Sequence, residues 1–482
     1  MSAYKGWPWG AIILGLEFDE VVHQRAGAQQ RCHSGNPGPR VPPHPVSDRG
    51  GFVLTRPKIL PVSHPAASAT ATSAVPTRKR HWVVVFAITL AMICYIDRVI
   101  IAQATPMMRA DLDLSVEQWG WVLGIFSWAY TLCEIPGGWM GDKWGARKVL
   151  LRVVTLWSFF TAATGWVWNY TSLLVCRLLF GVGEAGCFPN MTKAFTVWLP
   201  AHERVRAQGL MWFAARWGGA GPPVLVMPLL PPVHWRRGFE VFGGLGIIWA
   251  VFFFRWYRDN PRTHPDLNEA EKALLPKVAS KMEHGNVPWR KILRSRSVIL
   301  LWLQYFLLSY GWWFYIQWLP SYLREARGFT LQRDALLGAL LAGVPLFLGG
   351  IGCWLSGHFA PVFARWLGSV NKARRVMGFG GLISAGLLLV ISVQIQNPIL
   401  AMIAMGFASF ANDLTIPCAW GACMDIGRSY AGSVSGGMNM GGAGGGAVAG
   451  PMGACILIWA DHNWGVPSYV AAVVYGFAAL CR

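Results

Sequence analysis

GGWMGDKWGARK, residues 137–148, is the stretch whose reading decides the fold. Gly138, Gly141 and Gly145 permit close backbone approach and a tight turn, both of which a Cβ would obstruct. Asp142 is placed to cap and pair with a neighbouring helix end, while Arg147 and Lys148 are cations suited to anchor a membrane face. On either side lie apolar runs, about residues 117–139 and 148–168. Each is long enough to cross a hydrocarbon core about 30 Å thick. The stretch therefore reads as a short basic turn between two membrane helices.

Outward from it the same texture repeats. Further runs fall at about 82–102, 172–194, 207–230 and 238–257, then at 297–320, 332–356, 375–393, 398–422, 431–460 and 466–482. The expectation is an all-α integral membrane protein with twelve transmembrane helices in two six-helix bundles. Its parts are a disordered tail at 1–80, a first bundle at 81–257, a polar linker at 258–296 and a second bundle at 297–482. The stretch NEAEKALLPKVASKM (268–282) of the linker reads as a surface helix. Composition agrees, because 54% of the 482 residues are hydrophobic and only 13% charged, with a mean hydropathy of +0.37.

The net charge of +19 would suggest nucleic acid in a soluble protein. Here the basic residues concentrate in alternate loops (Lys143, Arg147 and Lys148; Arg204 and Arg206; 272–296; Lys372, Arg374 and Arg375), although Arg236, Arg237, Arg324 and Arg327 fall on the other side. That bias is the positive-inside pattern and predicts cytoplasmic termini in a plasma (inner) membrane. The tail is rich in Pro, Ser, Ala and Gly, as in HSGNPGPRVPPHPVSDRGG (33–51), and cannot bury enough apolar surface to offset its ordering entropy. WPWGAIILGL (7–16) resembles a signal core, but acidic EFDE follows it and no small-residue cleavage site does.

Several charges lie at membrane depth. Asp97 and Arg98 interrupt VVVFAITLAMICYIDRVII (83–101), and Arg177 and Glu184 sit seven residues apart in RLLFGVGEAGCF (177–188). Each ionised group near the bilayer centre costs about 3 kcal/mol, so these are expected to face a protein or water-filled interior. Positions i and i+7 share one helix face about 10 Å apart, whereas neighbours such as Asp97 and Arg98 diverge by about 100°. A carboxyl that takes a proton beside a guanidinium that holds an anion is what a coupled transporter requires; a structural ion pair is the plainer alternative. Asp413, in ASFANDLTIPCAW (408–420), is either an extra titrating acid or a hydrogen-bonded acid beside a helix break at Pro417, and Asp425 reads as a solvated cap.

Other readings weaken on inspection. Eight cysteines (Cys94, Cys133, Cys176, Cys187, Cys353, Cys418, Cys423 and Cys455) lie in apolar spans without a CxxC pair and read as small hydrophobes, not as disulfides or metal ligands. SVSGGMNMGGAGGGAVAGPMGA (433–454) lacks the GK[ST] ending of a phosphate loop and reads as close helix packing. The aromatic runs GWVWNY (165–170) and YGWWFYIQW (310–318) read as interface belts, with Trp312, Trp313 and Tyr315 as candidates for a lid. No nucleophile–base arrangement, metal spacing or cofactor loop stands out, so the chain does not read as an enzyme and implies no cofactor beyond a coupling proton.

The loop at 137–148 resembles the signature of the major facilitator superfamily. YIDR (95–98), FSWAYTLCEIPGGW (126–139), VWLPAHERVRAQGL (197–210) and RDNPRTHPDLNEAEKALL (258–275) narrow the resemblance to its anion:cation symporter family, with proton symporters of hexuronates, glucarate and galactonate. That family also contains vesicular glutamate and sialic-acid carriers. The resemblance covers nearly all of 82–482 and implies that Asp97 and Glu184 couple protons while Arg98 and Arg177 engage the substrate carboxylate. It further implies that Tyr95, Tyr130, Gln304 in WLQYF, Trp420 and Asn439 line the pocket. The chain departs from the pattern in the second-half loop, GCWLSGHFAPVFARWLG (352–368), where Gly357 and His358 replace a carboxylate–basic pair and a gating salt bridge is expected to be absent. The implied activity is inward symport of a sugar acid by a monomer in the lipid bilayer. Export or exchange of another carboxylate, or a non-transporting sensor, are the alternatives.

Overall fold

The computed structural model describes residues 75–221, 234–276, 287–326, 335–461 and 463–481. Of the two compact units into which the chain divides, Met1–Ala69 and Thr70–Arg482, the described residues belong to the second. The tail reading for 1–74 lies outside them. The first half holds α1 (Trp82–Asp111), α2 (Val116–Trp144), α3 (Ala146–Thr164), α4 (Tyr170–Glu184), α5 (Cys187–Trp198), α6 (Ala201–Ala220) and α7 (Trp235–Trp256). The second holds α8 (Arg296–Ser321), α9 (Ala335–Trp366), α10 (Val370–Gln394), α11 (Pro398–Asp413), α12 (Ile416–Gly427), α13 (Ala431–Trp459) and α14 (Gly465–Leu480). With α4–α5 and α11–α12 each taken as one broken rod, each half has six rods.

Among the described residues, seven helical stretches are long and apolar enough to cross a membrane on length and composition alone, with α11 to α13 counted as one run. The molecule is inside out relative to a water-soluble protein. Large apolar side chains such as Trp128, Leu132, Phe252, Leu387 and Phe477 cover its outer faces, whereas Asp97, Glu134, Arg177, Glu184, Arg216 and Asp413 are buried. That distribution suits lipid outside and polar function inside.

Local chemistry fixes where the rods begin and break. Ser115 caps α2 through a reciprocal capping box with Gln118, and Asn169 caps α4 in the same way with Ser172. The α4–α5 break follows from Gly186, whose φ of 86° is accessible to glycine and whose Cα presses on Gly137 of α2. Asn190 then donates to the carbonyls of both Gly137 and Gly186, at 2.9 and 2.7 Å. The second break falls at Leu414 and Thr415, three residues earlier than the Pro417 marker suggests, because that proline sits in the permissive first turn of α12.

The glycines of α13 do what small residues do between helices. Cβ atoms at Gly437, Gly442 and Gly446 would strike the rings of Trp302, Tyr305 and Trp313 on α8. Within the halves α3 packs on α7, α2 on α4, and α10 on α11 and α14; between them α2 packs on α13 and α6 on α9.

Two boundary expectations need correction. The surface helix is only Glu269–Leu274 among the described residues, because Leu275 turns extended and the rest of 277–286 lies outside them. The tail assignment also runs too far, since the chain is pinned from Val75 onward. Asn268 donates to the Val75 carbonyl at 2.8 Å, Glu271 accepts from the backbone of Lys79 and Arg80, and Arg80 pairs with Glu271 at 3.2 Å and Glu203 at 2.7 Å.

Burial opposes ionisation of Glu203, but hydrogen bonds from His81 and Arg80 and the Arg80 charge outweigh it and hold its carboxyl down at about 2. A depressed carboxyl stabilises the fold above its unfolded value, about 4.3, and that stabilisation is lost as pH falls from there through about 2. The melting temperature in detergent is therefore expected to fall between about pH 5 and pH 3. Glu203→Gln should flatten that part of the profile; an unchanged slope would refute the assignment.

Candidate functional site

A cavity lies between the halves, walled by Tyr95 and Arg98 of α1, Tyr130 of α2, Phe188 of α5, and Trp212 and Arg216 of α6. The second half contributes Tyr305, Leu308, Ser309, Trp312 and Trp313 of α8, Asn412 of α11, Ile416 of α12, and Asn439, Gly442 and Ala443 of α13.

Arg98 is the most constrained of these groups. Its guanidinium carbon lies 4.5 Å from the Tyr130 ring centroid, 5.4 Å from Tyr95 and 5.6 Å from Phe126. Its Nε donates to Glu184 Oε1 at 2.6 Å, and its Nη2 is buried without a partner. A guanidinium with one nitrogen tied and another without a partner keeps a donor that a carboxylate can accept. Glu184, at the α4–α5 break, also accepts from Cys94 Sγ at 2.7 Å, while its Oε2 has no partner. Cys94 thus does more than fill space.

The remaining first-half charges lie behind this wall. Asp97 is 2% exposed with both oxygens free of hydrogen bonds, close to Trp157 and Thr161 of α3 and to Arg177. Arg177 does not line the cavity, and its guanidinium lies 4.8 Å from both Phe126 and Phe180. One residue of helical rotation therefore separates Asp97, facing the interior of its own bundle, from Arg98, facing the shared cavity.

Of the pocket residues implied by resemblance, Tyr95, Arg98, Tyr130 and Asn439 meet at the wall. Asn439 Nδ2 donates to Tyr130 Oη at 2.8 Å and so links the halves. Trp420 stands behind the wall, donating to the Tyr305 hydroxyl at 2.9 Å and packing on Trp212. Gln304 is fully buried, is not at the wall, and its amide makes no hydrogen bond. Tyr315 lies outside the described side chains; Trp312 and Trp313 belong to the wall.

Two charges were missed in the sequence. Arg216, in FAARWGGAG (213–221), donates from Nε and Nη2 to the two oxygens of Asp413 at 2.6 and 3.1 Å, so Asp413 is held in a two-toothed pair that bridges the halves. Glu134 is 0% exposed, one turn beyond Tyr130 on α2 and close to Tyr130, Gly186 and Asn439. The rule that singled out Arg177, a lone charge in a lipid-length run, applies equally to both.

At the end of the molecule bearing the 137–148 loop the halves are fastened together. Asp142 accepts from the backbone N–H groups of Gly432 and Ser433 at 3.1 and 2.6 Å and pairs with Lys193 at 3.0 Å. These are the first residues of α13, where a carboxylate is favoured. Gly145 has a φ of 88° and abuts Asp259, which accepts from the backbone of Arg147, while the Arg147 side chain reaches the Phe254 carbonyl and Lys148 is exposed. Asp425 is no solvated cap: it joins Arg204 and Arg374 at 3.1 and 2.8 Å. In the degenerate second-half loop Gly357 lets α9 touch α6 at Arg206, whose guanidinium lies 3.1 Å from His358. A guanidinium–imidazole contact stands at this loop where a carboxylate–basic pair is absent.

The family model described as Major Facilitator Superfamily matches residues 87–451. A probable sulfoacetate transporter of Cupriavidus necator is 33% identical over 414 residues, covering 84% of this chain and 93% of its own. A D-galactonate transporter of Escherichia coli is 29% identical over 352 residues, covering 70% of this chain and 80% of its own. A solved human organic anion transporter aligns with a TM-score of 0.64 at 14% identity, over 84% of this chain and 99% of that chain, a likeness of fold alone.

Proposed function

The chain belongs to the Major Facilitator Superfamily, and from that premise we propose that it carries a small organic acid of the sugar-acid or sulfonated-acid class inward with protons, by alternating access. The observation that carries the reading is Arg98, which faces a cavity shared by both halves, is tied to Glu184 at 2.6 Å and keeps its buried Nη2 without a partner. In this cycle the substrate carboxylate and Glu184 compete for one guanidinium. A proton on Glu184 weakens its hold and frees Arg98 for the anion; loss of the substrate restores the pair and expels the proton.

Asp97 serves as a second proton site behind the wall, with Arg177 as the nearby cation that answers its charge. Carrying protons with the anion reduces the opposition of an inside-negative potential. The fastened end, with both termini, is cytoplasmic in a plasma membrane, so the cavity of this conformation is sealed from the cell interior. Rocking of the halves then releases the substrate there.

Purified protein in liposomes tests the cycle. An inward proton gradient should drive accumulation of a labelled sugar acid or sulfonated acid. Asp97→Asn should keep counterflow exchange within about threefold while gradient-driven accumulation falls about tenfold or more. Undiminished accumulation in this variant would remove Asp97 from the coupling scheme, and absence of any anion uptake by the parent protein would remove the proposal.

A further inference from the structure

The cavity has two guanidiniums on its wall, and only one is used by a single-carboxylate substrate. Arg216 enters from α6, its guanidinium carbon 4.0 Å from the Trp312 ring centroid and 5.9 Å from Trp212. Asp413 takes its Nε and Nη2, leaving Nη1 outside the pair. Arg98 is comparable, with its Nε held by Glu184 and its Nη2 without a partner. In both cases the carboxylate lies behind the wall and the cation lies on it.

What lies between the two cations is aromatic, with the Tyr95 hydroxyl close to both. Phe188 and Trp212 stack with centroids 4.8 Å apart; the Arg98 carbon is 5.9 Å from the first ring and the Arg216 carbon 5.9 Å from the second. The wall therefore presents a cation, a floor of two stacked rings and a second cation. Asn412 and Ser309 stand at the Arg216 end, with the Asn412 Oδ1 atom buried and unpartnered. Polar heads at two ends and an aromatic floor between them fit a short carbon chain that ends in an anion on each side.

We propose that Arg216 is a second anion-binding residue of this site, and that the preferred substrate is a short dianion whose two carboxylate or sulfonate groups are separated by one to a few carbons. The inference rests on the anion-transport reading of the cavity and specifies its ligand. Asp413 acts as the resident counter-ion that holds Arg216 in place while the site is empty.

Ligand-induced shifts in melting temperature of the purified protein test the inference separately from transport. Sulfoacetate and succinate are the dianionic probes, acetate and gluconate the monoanionic ones. The dianions are expected to bind about tenfold or more tightly than the monoanions. Arg216→Gln combined with Asp413→Asn removes the pair without leaving a lone buried charge, and the dianion-to-monoanion ratio should fall towards one. Arg216→Lys keeps a cation but not the fork, so an intermediate ratio is expected and decides the matter if the double variant does not fold. Equal binding of both classes by the parent protein, or an unchanged ratio in the variants, overturns the inference. A preserved dianion preference without uptake in liposomes would refute the transport reading and leave Arg216 as an anion residue.

Discussion

Arg98→Gln is expected to reduce uptake of anionic substrates by about a hundredfold and to abolish their thermal shifts, whatever their length or second charge. The size follows from the position of the residue. Arg98 is tied by Nε to Glu184 while Nη2 is buried without a partner, so the empty site already bears the cost of a desolvated donor that a carboxylate would satisfy. Truncating one member of a buried, hydrogen-bonded charge pair costs about 2–5 kcal/mol, which spans about thirtyfold to several thousandfold in affinity.

Lysine is a poor replacement, because a single ammonium cannot hold Glu184 along one edge and offer a second edge to the ligand; Arg98→Lys should lose about tenfold or more. In Arg98→Gln, Glu184 is left buried without its cation, at a cost to stability. Arg98→Gln with Glu184→Gln should restore the melting temperature of the parent protein without restoring uptake. A double variant that transported normally would show that neither group belongs to the anion site.

The fold was readable because its determinants are long-range only in repetition. The length of apolar runs, the turn at 137–148 and the linker at 258–296 each follow from local composition. Arg98 was readable for a related reason, because a charge set in a lipid-length run is costly wherever it falls, whereas Tyr95 and Tyr130 came only from the family resemblance. The same argument, applied evenly, would have included Arg216 and Glu134, which were hidden inside AARWGG and CEIPGG by the glycines around them.

Pairings were a different matter. That Asp413 answers Arg216, or that Asp425 joins Arg204 and Arg374, depends on how one bundle is turned against the other. Periodicity within a helix carries no such information. The rotation that separates Asp97 from Arg98 was predictable from helix geometry, but which of them faced the cavity was not. The Val75 to Arg80 segment illustrates the opposite case: its composition argued for disorder, yet Asn268, Glu271 and Glu203 together hold it.

The fastened end supports the other large expectation. Gly138→Val should reduce uptake by about a hundredfold while leaving ligand-induced thermal shifts in place, because it acts on closure of the halves and not on the cavity. A Cβ at Gly138 would lie 2.2 Å from the carbonyl oxygen of Gly432 and 3.3 Å from the Cα of Gly436. These are backbone atoms of α13 and cannot turn aside. The contact is reciprocal, since a Cβ at Gly432 would meet the Gly138 carbonyl at 2.5 Å and Asp142 Oδ1 at 2.9 Å. Relief therefore requires α2 and α13 to separate, and separation breaks the hydrogen bonds from Gly432 and Ser433 to Asp142. Asp142→Asn keeps the shape and one acceptor but loses the charge facing Lys193 and the helix end, so a smaller loss of about tenfold is expected. Lys143 and Arg428 are both exposed at this end. Spin labels at Lys143→Cys and Arg428→Cys, with the native cysteines replaced, should report one short distance population in the parent sequence and a longer one with Gly138→Val. If the short distance persisted and uptake were normal, the α2–α13 contact would be packing without a part in the transport cycle.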